Sequence, residues 1–147
     1  MLAGQYQHQL DHKGRVAVPK KFRSILVGGG LLTRGLDGCL FLYSQDTWNG
    51  LAEKLRKLPL TGRDARAFSR FLLGSAAEVS YDKLGRITVP SYLLEFAKIQ
   101  TDVTFVGVGD RVELWSSAAW KIYQERNEQQ AAQVAEQLSN SDSPTRI

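Results

Sequence analysis

The sequence predicts an α+β protein built as two tandem, β-rich halves on one plan. Three observations carry that expectation. A nine-residue motif occurs twice, 71 residues apart: Asp11-His12-Lys13-Gly14-Arg15-Val16-Ala17-Val18-Pro19 and Asp82-Lys83-Leu84-Gly85-Arg86-Ile87-Thr88-Val89-Pro90. A segment with β-type alternation precedes each copy, and a helix-forming run follows each proline. Downstream, Leu40, Leu42, Tyr43, Ser44 and Trp48 are matched by Val112, Leu114, Trp115, Ser116 and Trp120 at an offset of 72. A repeat on this scale must be settled first, because missing it misassigns the whole fold.

The first strand is expected over Gln5–Leu10 and its counterpart over Ala77–Tyr81. Asp11 and Asp82 start tight turns, since a short carboxylate accepts from backbone N–H groups two residues on. Gly14 and Gly85 stand where the turn needs a positive φ. Arg15 and Arg86 lead into the short strands Val16–Val18 and Ile87–Thr88–Val89, which Pro19 and Pro90 end because proline cannot donate to a ladder. Each motif thus reads as a β-hairpin tip with an arginine at its base. Helices follow over Lys20–Leu26 and Ser91–Ala97, each opened by its proline.

Gly28-Gly29-Gly30 is a break. It has no phosphate-loop continuation. Leu31–Arg34 and Cys39–Tyr43 read as a hairpin around Gly35–Gly38. Ser44 caps a helix from Gln45 to about Leu58 with Trp48, Leu51, Leu55 and Leu58 as its stripe. Pro59 stops it. A second helix, about Gly62 to Leu73, puts Phe68, Phe71 and Leu72 on an apolar face and Arg63, Arg66 and Arg70 on another. In the second half, Asp102–Val108 and Arg111–Trp115 form a hairpin around Gly109-Asp110. A long polar helix runs from Trp120 to about Leu138, with a thin face of Ala131, Val134, Ala135 and Leu138. Ser139–Ile147 reads as a disordered tail. The expected organisation is residues 1–75, 76–123 and 124–147.

The chain has 147 residues, 43% hydrophobic and 23% charged, and a net charge of +4. Two such halves are each marginal alone and must pack on each other or on further chains. Residues 11–34 hold Lys13, Arg15, Lys20, Lys21, Arg23 and Arg34 against Asp11 alone, whereas residues 82–106 balance three bases with three acids. The first stretch is a local basic patch of the kind that meets a polyanion; a solvated charged face is the plainer alternative. Cys39 is the single cysteine, which excludes an internal disulfide and suits a reducing compartment. Met1–Gly4 lacks the basic and apolar runs of a secretory leader, and no stretch reaches membrane-spanning length. A cytoplasmic protein is expected.

No catalytic constellation is visible. His8 and His12 are the only histidines and carry no metal-ligand pattern, and no G-x-S-x-G elbow occurs. Neither an enzyme nor a bound metal or cofactor is expected. The Asp and Arg of one motif could form a local salt bridge that holds the turn. A turn needs Asp and Gly, however, and does not need Arg at the same place twice. Arg is suited to bidentate hydrogen bonding with phosphate or guanine.

The repeated D-x-x-G-R-x-x-V-P pattern, spread over nearly the whole chain except the tail, resembles the MraZ family of bacterial transcriptional regulators. One copy of the turn is similar to the wider AbrB-like swapped-hairpin group, which includes antitoxins. The resemblance implies two AbrB-like halves paired as an internal pseudo-dimer with flanking helices. It also implies assembly of several subunits into a ring. The ligand it implies is double-stranded DNA, as short G-rich direct repeats in the promoter of the division and cell-wall gene cluster, with a nucleoid-associated location. The family's D-x-x-x-R signature maps onto Asp11 with Arg15 and Asp82 with Arg86. Ser91-Tyr92 stands where the first copy has Lys20-Lys21, a departure from symmetry.

The expected contacts follow. Arg15 and Arg86 read guanine O6 and N7 in the major groove. Lys13, Lys83, Lys20, Lys21 and His12 lie against the duplex, the lysines on phosphate. Asp11, Gly14, Asp82 and Gly85 position the turns. Two other readings compete: an antitoxin-like protein-interaction module, and a structural ring protein.

Overall fold

The computed structural model describes residues 1–140. In chain order its elements are β1 (Leu2–Gln9), β2 (Arg15–Ala17), α1 (Lys20–Arg23), β3 (Gly30–Arg34), β4 (Leu40–Tyr43), α2 (Gln45–Arg56) and α3 (Arg63–Leu72). The second half follows with β5 (Ala77–Val79), β6 (Arg86–Thr88), α4 (Ser91–Ala97), β7 (Asp102–Gly109), β8 (Val112–Ser116), α5 (Ser117–Glu128) and α6 (Ala131–Ser139). Met1–Ser117 form one compact unit and the chain from Ala118 a second.

The strand before each turn does not pair with the strand after it, which corrects the expectation of two local hairpins. Each turn is closed by two backbone bonds: Asp11 N–H to Arg15 O at 2.8 Å with Gly14 N–H to Asp11 O at 3.1 Å, and Asp82 N–H to Arg86 O at 2.9 Å with Gly85 N–H to Asp82 O at 3.0 Å. Beyond those bonds the two legs part. β1 pairs antiparallel with β7 of the other half, from Leu2 opposite Gly109 to Gln9 opposite Asp102. β5 pairs with β3 of the first half, and β2 pairs with β6. The physical reason is ladder length: β2 is three residues long, whereas β1 runs eight residues in register with β7 and pairs more of its backbone groups there. This exchange between halves is the swapped arrangement that the family resemblance implies.

All pairings are antiparallel. The main sheet has the order β1-β7-β8-β4-β3-β5, and β2-β6 form a separate ribbon. The order is a palindrome with respect to the repeat. At its centre Leu40 faces Leu114, Phe41 faces Glu113 and Leu42 faces Val112. In the ribbon Arg15 faces Thr88, Val16 faces Ile87 and Ala17 faces Arg86. Each set maps onto itself when the halves are exchanged, so a pseudo-two-fold axis passes through the Phe41–Glu113 and Val16–Ile87 pairs.

The core lies between sheet, ribbon and the short helices. Val16, Val18, Phe22 and Leu26 meet Ile87, Val89, Leu93 and Ala97, with Leu32, Leu40, Leu42, Val103, Phe105, Val112 and Leu114 from the sheet. Burial of each large aliphatic or aromatic side chain contributes about 1.5–3 kcal/mol. In β1 the alternation serves this core: Tyr6 meets Phe22 edge-on at 5.3 Å and His8 meets Phe105 at 5.7 Å.

Several element ends differ from expectation. α1 stops at Arg23 rather than Leu26, because the Ile25 and Leu26 amides both return to Phe22 O, at 3.1 and 2.7 Å, and the chain bends toward the glycines. α2 is capped by Ser44, whose hydroxyl accepts from Thr47 N–H, and ends at Arg56. Leu58 therefore falls outside the stripe and is 41% exposed. The long C-terminal helix is two helices. The Asn127 amide donates to Tyr123 O at 2.8 Å and Gln130 N–H turns back to Asn127 O, which interrupts the ladder before Ala131. Ser139, expected in the tail, closes α6; the remainder of that tail, from residue 141, lies outside the described residues.

Candidate nucleic-acid interface

Strand alternation decides what the β2–β6 ribbon shows to its surroundings. Val16 and Ile87 point inward and are fully buried. Arg15, Ala17, Arg86 and Thr88 therefore share the outward face. Two further backbone bonds lock the ribbon to the turns, Val18 N–H to Gly85 O at 3.0 Å and Val89 N–H to Gly14 O at 2.8 Å. The ribbon thus holds both arginines of the repeat on one surface.

Each turn is built in the same way. Asp11 Oδ1 accepts the Lys13 and Arg15 backbone N–H groups, both at 2.9 Å, and Oδ2 takes Arg15 Nε at 2.7 Å. Asp82 Oδ1 accepts the Leu84 and Arg86 N–H groups at 2.9 Å, and Oδ2 takes Arg86 Nε at 2.7 Å. Gly14 and Gly85 adopt φ of 76° and 75°, the left-handed conformation that glycine takes without cost. The Arg15 backbone N–H, aided by the Arg15 side chain, holds the Asp11 carboxyl down at about 2. Asp82 is lowered in the same way, first by the Arg86 N–H. Both aspartates are charged at neutral pH, and each fixes its guanidinium through Nε.

Of the surrounding cations, His12, Lys13, Lys83 and Lys20 are exposed, the first three on the turn tips and Lys20 at the start of α1. Lys21 is placed differently. Its ammonium donates to Ala3 O at 3.1 Å. Its repeat partner Tyr92 does the same with a hydroxyl, donating to Ser75 O at 2.8 Å. Leu84 occupies the position of Lys13 and is 69% exposed, an apolar tip on the second turn. Arg66 and Arg70, expected to add a basic face, rim a groove of about 470 Å³ between α2 and α3 whose lining includes no turn residue.

Arg23 was not among the expected contacts, yet it lies at the second turn. Its Nη1 donates to Val18 O, and its guanidinium sits directly beneath Gly85. The signal in the sequence was faint: Arg23 aligns with Leu94, one of the places where the halves differ. Among the described residues no group of three or more His, Cys, Asp or Glu could hold a metal ion, and no helix is long and apolar enough to cross a membrane.

The repeat seen in the geometry is also a repeat of family matches. A family model described as MraZ protein, antitoxin-like, matches residues 1–71 and again residues 72–141. The chain belongs to the MraZ family. It is 52% identical over 140 residues to a protein of Caldanaerobacter subterraneus subsp. tengcongensis, covering 95% of this chain and 98% of that one. It is 49% identical over 142 residues to a protein of Natranaerobius thermophilus, covering 97% and 99%. A protein of a Thermoanaerobacter species is 49% identical over 140 residues, with 95% and 98% covered. All three are named "Transcriptional regulator MraZ". The MraZ match thus divides the chain close to the end of α3, where the second half begins.

Proposed function

We propose that this chain is a DNA-binding transcriptional regulator, acting as a repressor at the promoter of the division and cell-wall gene cluster. The observation that carries the reading is the outward ribbon face, which presents two guanidiniums, each fixed at Nε by its own aspartate. Fixing Nε leaves the two Nη groups of Arg15 available as a pair of donors, the kind that guanine O6 and N7 accept. Because the side chain is already ordered, binding costs less rotamer entropy than it would for a free arginine. The name carried by the relatives points the same way.

Lys13, Lys83, Lys20 and His12 would lie against phosphate and set register. One ribbon spans few base pairs, so useful affinity requires several ribbons on spaced repeats. A ring of subunits supplies that multiplicity by raising effective concentration. The nucleoid would be its location. A second reading, a protein-interaction module of the antitoxin kind, is favoured by the description of the family model and by the half-exposed Val134 and Leu138 on α6.

A fluorescence titration separates the two. A duplex with tandem G-rich repeats is compared with a scrambled duplex at two salt concentrations. The regulator reading expects selective binding that weakens with salt. Equal, weak binding to both duplexes overturns it and favours the protein-interaction reading.

A further inference from the structure

The two turns have the same upper surface and different seats. A Cβ placed on Gly14 would meet Val89 O at 3.3 Å and Leu94 Cδ1 at 3.8 Å. A Cβ placed on Gly85 would instead fall 2.6 Å from Arg23 Cζ, 2.7 Å from Nη1 and 2.8 Å from Nε. The Arg23 guanidinium is therefore pressed against the backbone of the second turn, in the slot that Leu94 fills beneath the first. It is tied there by its bond to Val18 O, and Val18 N–H in turn holds Gly85 O at 3.0 Å. The neighbouring position changes in concert. Tyr81, whose hydroxyl donates to Leu26 O at 2.7 Å, precedes the second turn where Leu10 precedes the first. Leu94 thus lies beneath the first turn and Arg23 beneath the second.

We infer that Arg23 is the positioning residue of the second turn: it holds the Gly85 backbone, and through it Arg86, in the orientation that meets DNA. Arg23 belongs to the first half by sequence and to the second turn in space. A count of charges along the chain therefore credits the first copy with a cation that lies under the second. The swapped topology makes this transfer possible, because β2 carries α1 across to β6. The inference rests on the DNA-binding reading for its consequence at the operator, but not for the contact itself.

Two measurements on the full chain test it. The first is amide hydrogen exchange at Arg86 and Leu84, whose N–H groups bond Asp82. Arg23→Leu, which installs the residue of the other seat, should speed exchange at both severalfold and leave the Arg15 amide unchanged. Arg23→Lys should fall between the two, since an ammonium can bond Val18 O but cannot lie flat beneath Gly85. The second is a double-mutant cycle on a duplex with tandem G-rich repeats. Arg86→Ala should weaken binding by a factor toward the low end of the roughly 5- to 150-fold range for one bidentate base contact. Arg23→Leu should weaken it by a similar or smaller factor, and the double variant should bind no worse than Arg86→Ala alone. Additive losses, with a smaller salt slope for Arg23→Leu, would make Arg23 a phosphate contact and overturn the inference. Unchanged exchange at Arg86 would overturn it as well. A wild-type chain that ignores the repeats sinks the DNA reading instead, and the exchange experiment still decides the seat.

Discussion

Arg86 Nη1 lies 3.7 Å from Asp11 Oδ2, so the carboxylate of the first turn also touches the arginine of the second. Asp11 Oδ2 already holds Arg15 Nε at 2.7 Å. Arg86 is thereby tethered at both ends, to Asp82 through Nε and to Asp11 through Nη1. The Nη groups of Arg15 have no partner among the described residues. The free end is the one better placed to read a base. Arg15→Ala should cost about 1–3 kcal/mol of specific binding, and Arg86→Ala less. A duplex titration of both variants at one salt concentration checks the order; equal losses would remove the asymmetry.

The shared carboxylate gives a second ordering. Asp11→Ala unbraces Arg15, the arginine whose Nη groups are free to read a base, whereas Asp82→Ala unbraces Arg86, which keeps its contact to Asp11. Asp11→Ala should therefore weaken operator binding more than Asp82→Ala, by the same titration. The reverse order would mean that Arg86, not Arg15, is the principal base reader.

The turn glycines should resist substitution for a backbone reason. Alanine at a left-handed φ costs about 1–2 kcal/mol, which predicts that loss for Gly14→Ala in urea unfolding. Gly85→Ala should lose at least as much and also expel Arg23, because its Cβ would fall 2.6 Å from the guanidinium. Restored stability in a Gly85→Ala, Arg23→Ala double variant, relative to Gly85→Ala, would confirm that clash.

Acid should weaken the fold through the same carboxylates. Asp11 titrates at about 2 in the fold against an ordinary 3.8, and Asp82 is shifted in the same direction. A carboxyl with a depressed folded pKa stabilises the protein above its unfolded value and loses that contribution as pH falls toward the folded one. The urea midpoint should thus drop between about pH 4 and pH 2. Asp11→Asn should flatten that part of the profile.

Cys39 is fully buried, donates to Leu36 O at 3.2 Å, and has its thiol pushed upward, above all by burial. A buried, protonated thiol is a poor nucleophile. Labelling with a disulfide reagent should be slow in the native protein and should follow unfolding as denaturant rises. Fast labelling of native protein would show that the Gly35–Gly38 corner opens.

The turns were legible because their chemistry is local. Asp11, Gly14 and Arg15 act within five residues, so the spacing that makes the turn is visible in the string, and a second copy at Asp82 removes coincidence. The proline ends, the Ser44 cap and the β3–β4 and β7–β8 hairpins were legible for the same reason. Helix ends were less so. The stop of α1 at Arg23 and the break before Ala131 depend on which carbonyl an amide chooses, a competition among near-equal local bonds that composition does not rank.

The sequence by itself determined that there are two homologous halves, that each presents an Asp-braced arginine after a glycine turn, and that the chain belongs with MraZ-type repeats. Only the tertiary structure decided that β1 leaves its own turn for β7, that Arg86 reaches Asp11, and that Arg23 supports the turn of the other half. Those contacts join residues far apart in the chain. They follow from which ladder satisfies more backbone groups and which side chain fills a slot across a pseudo-two-fold axis, and neither leaves a periodic mark on the residues that make it.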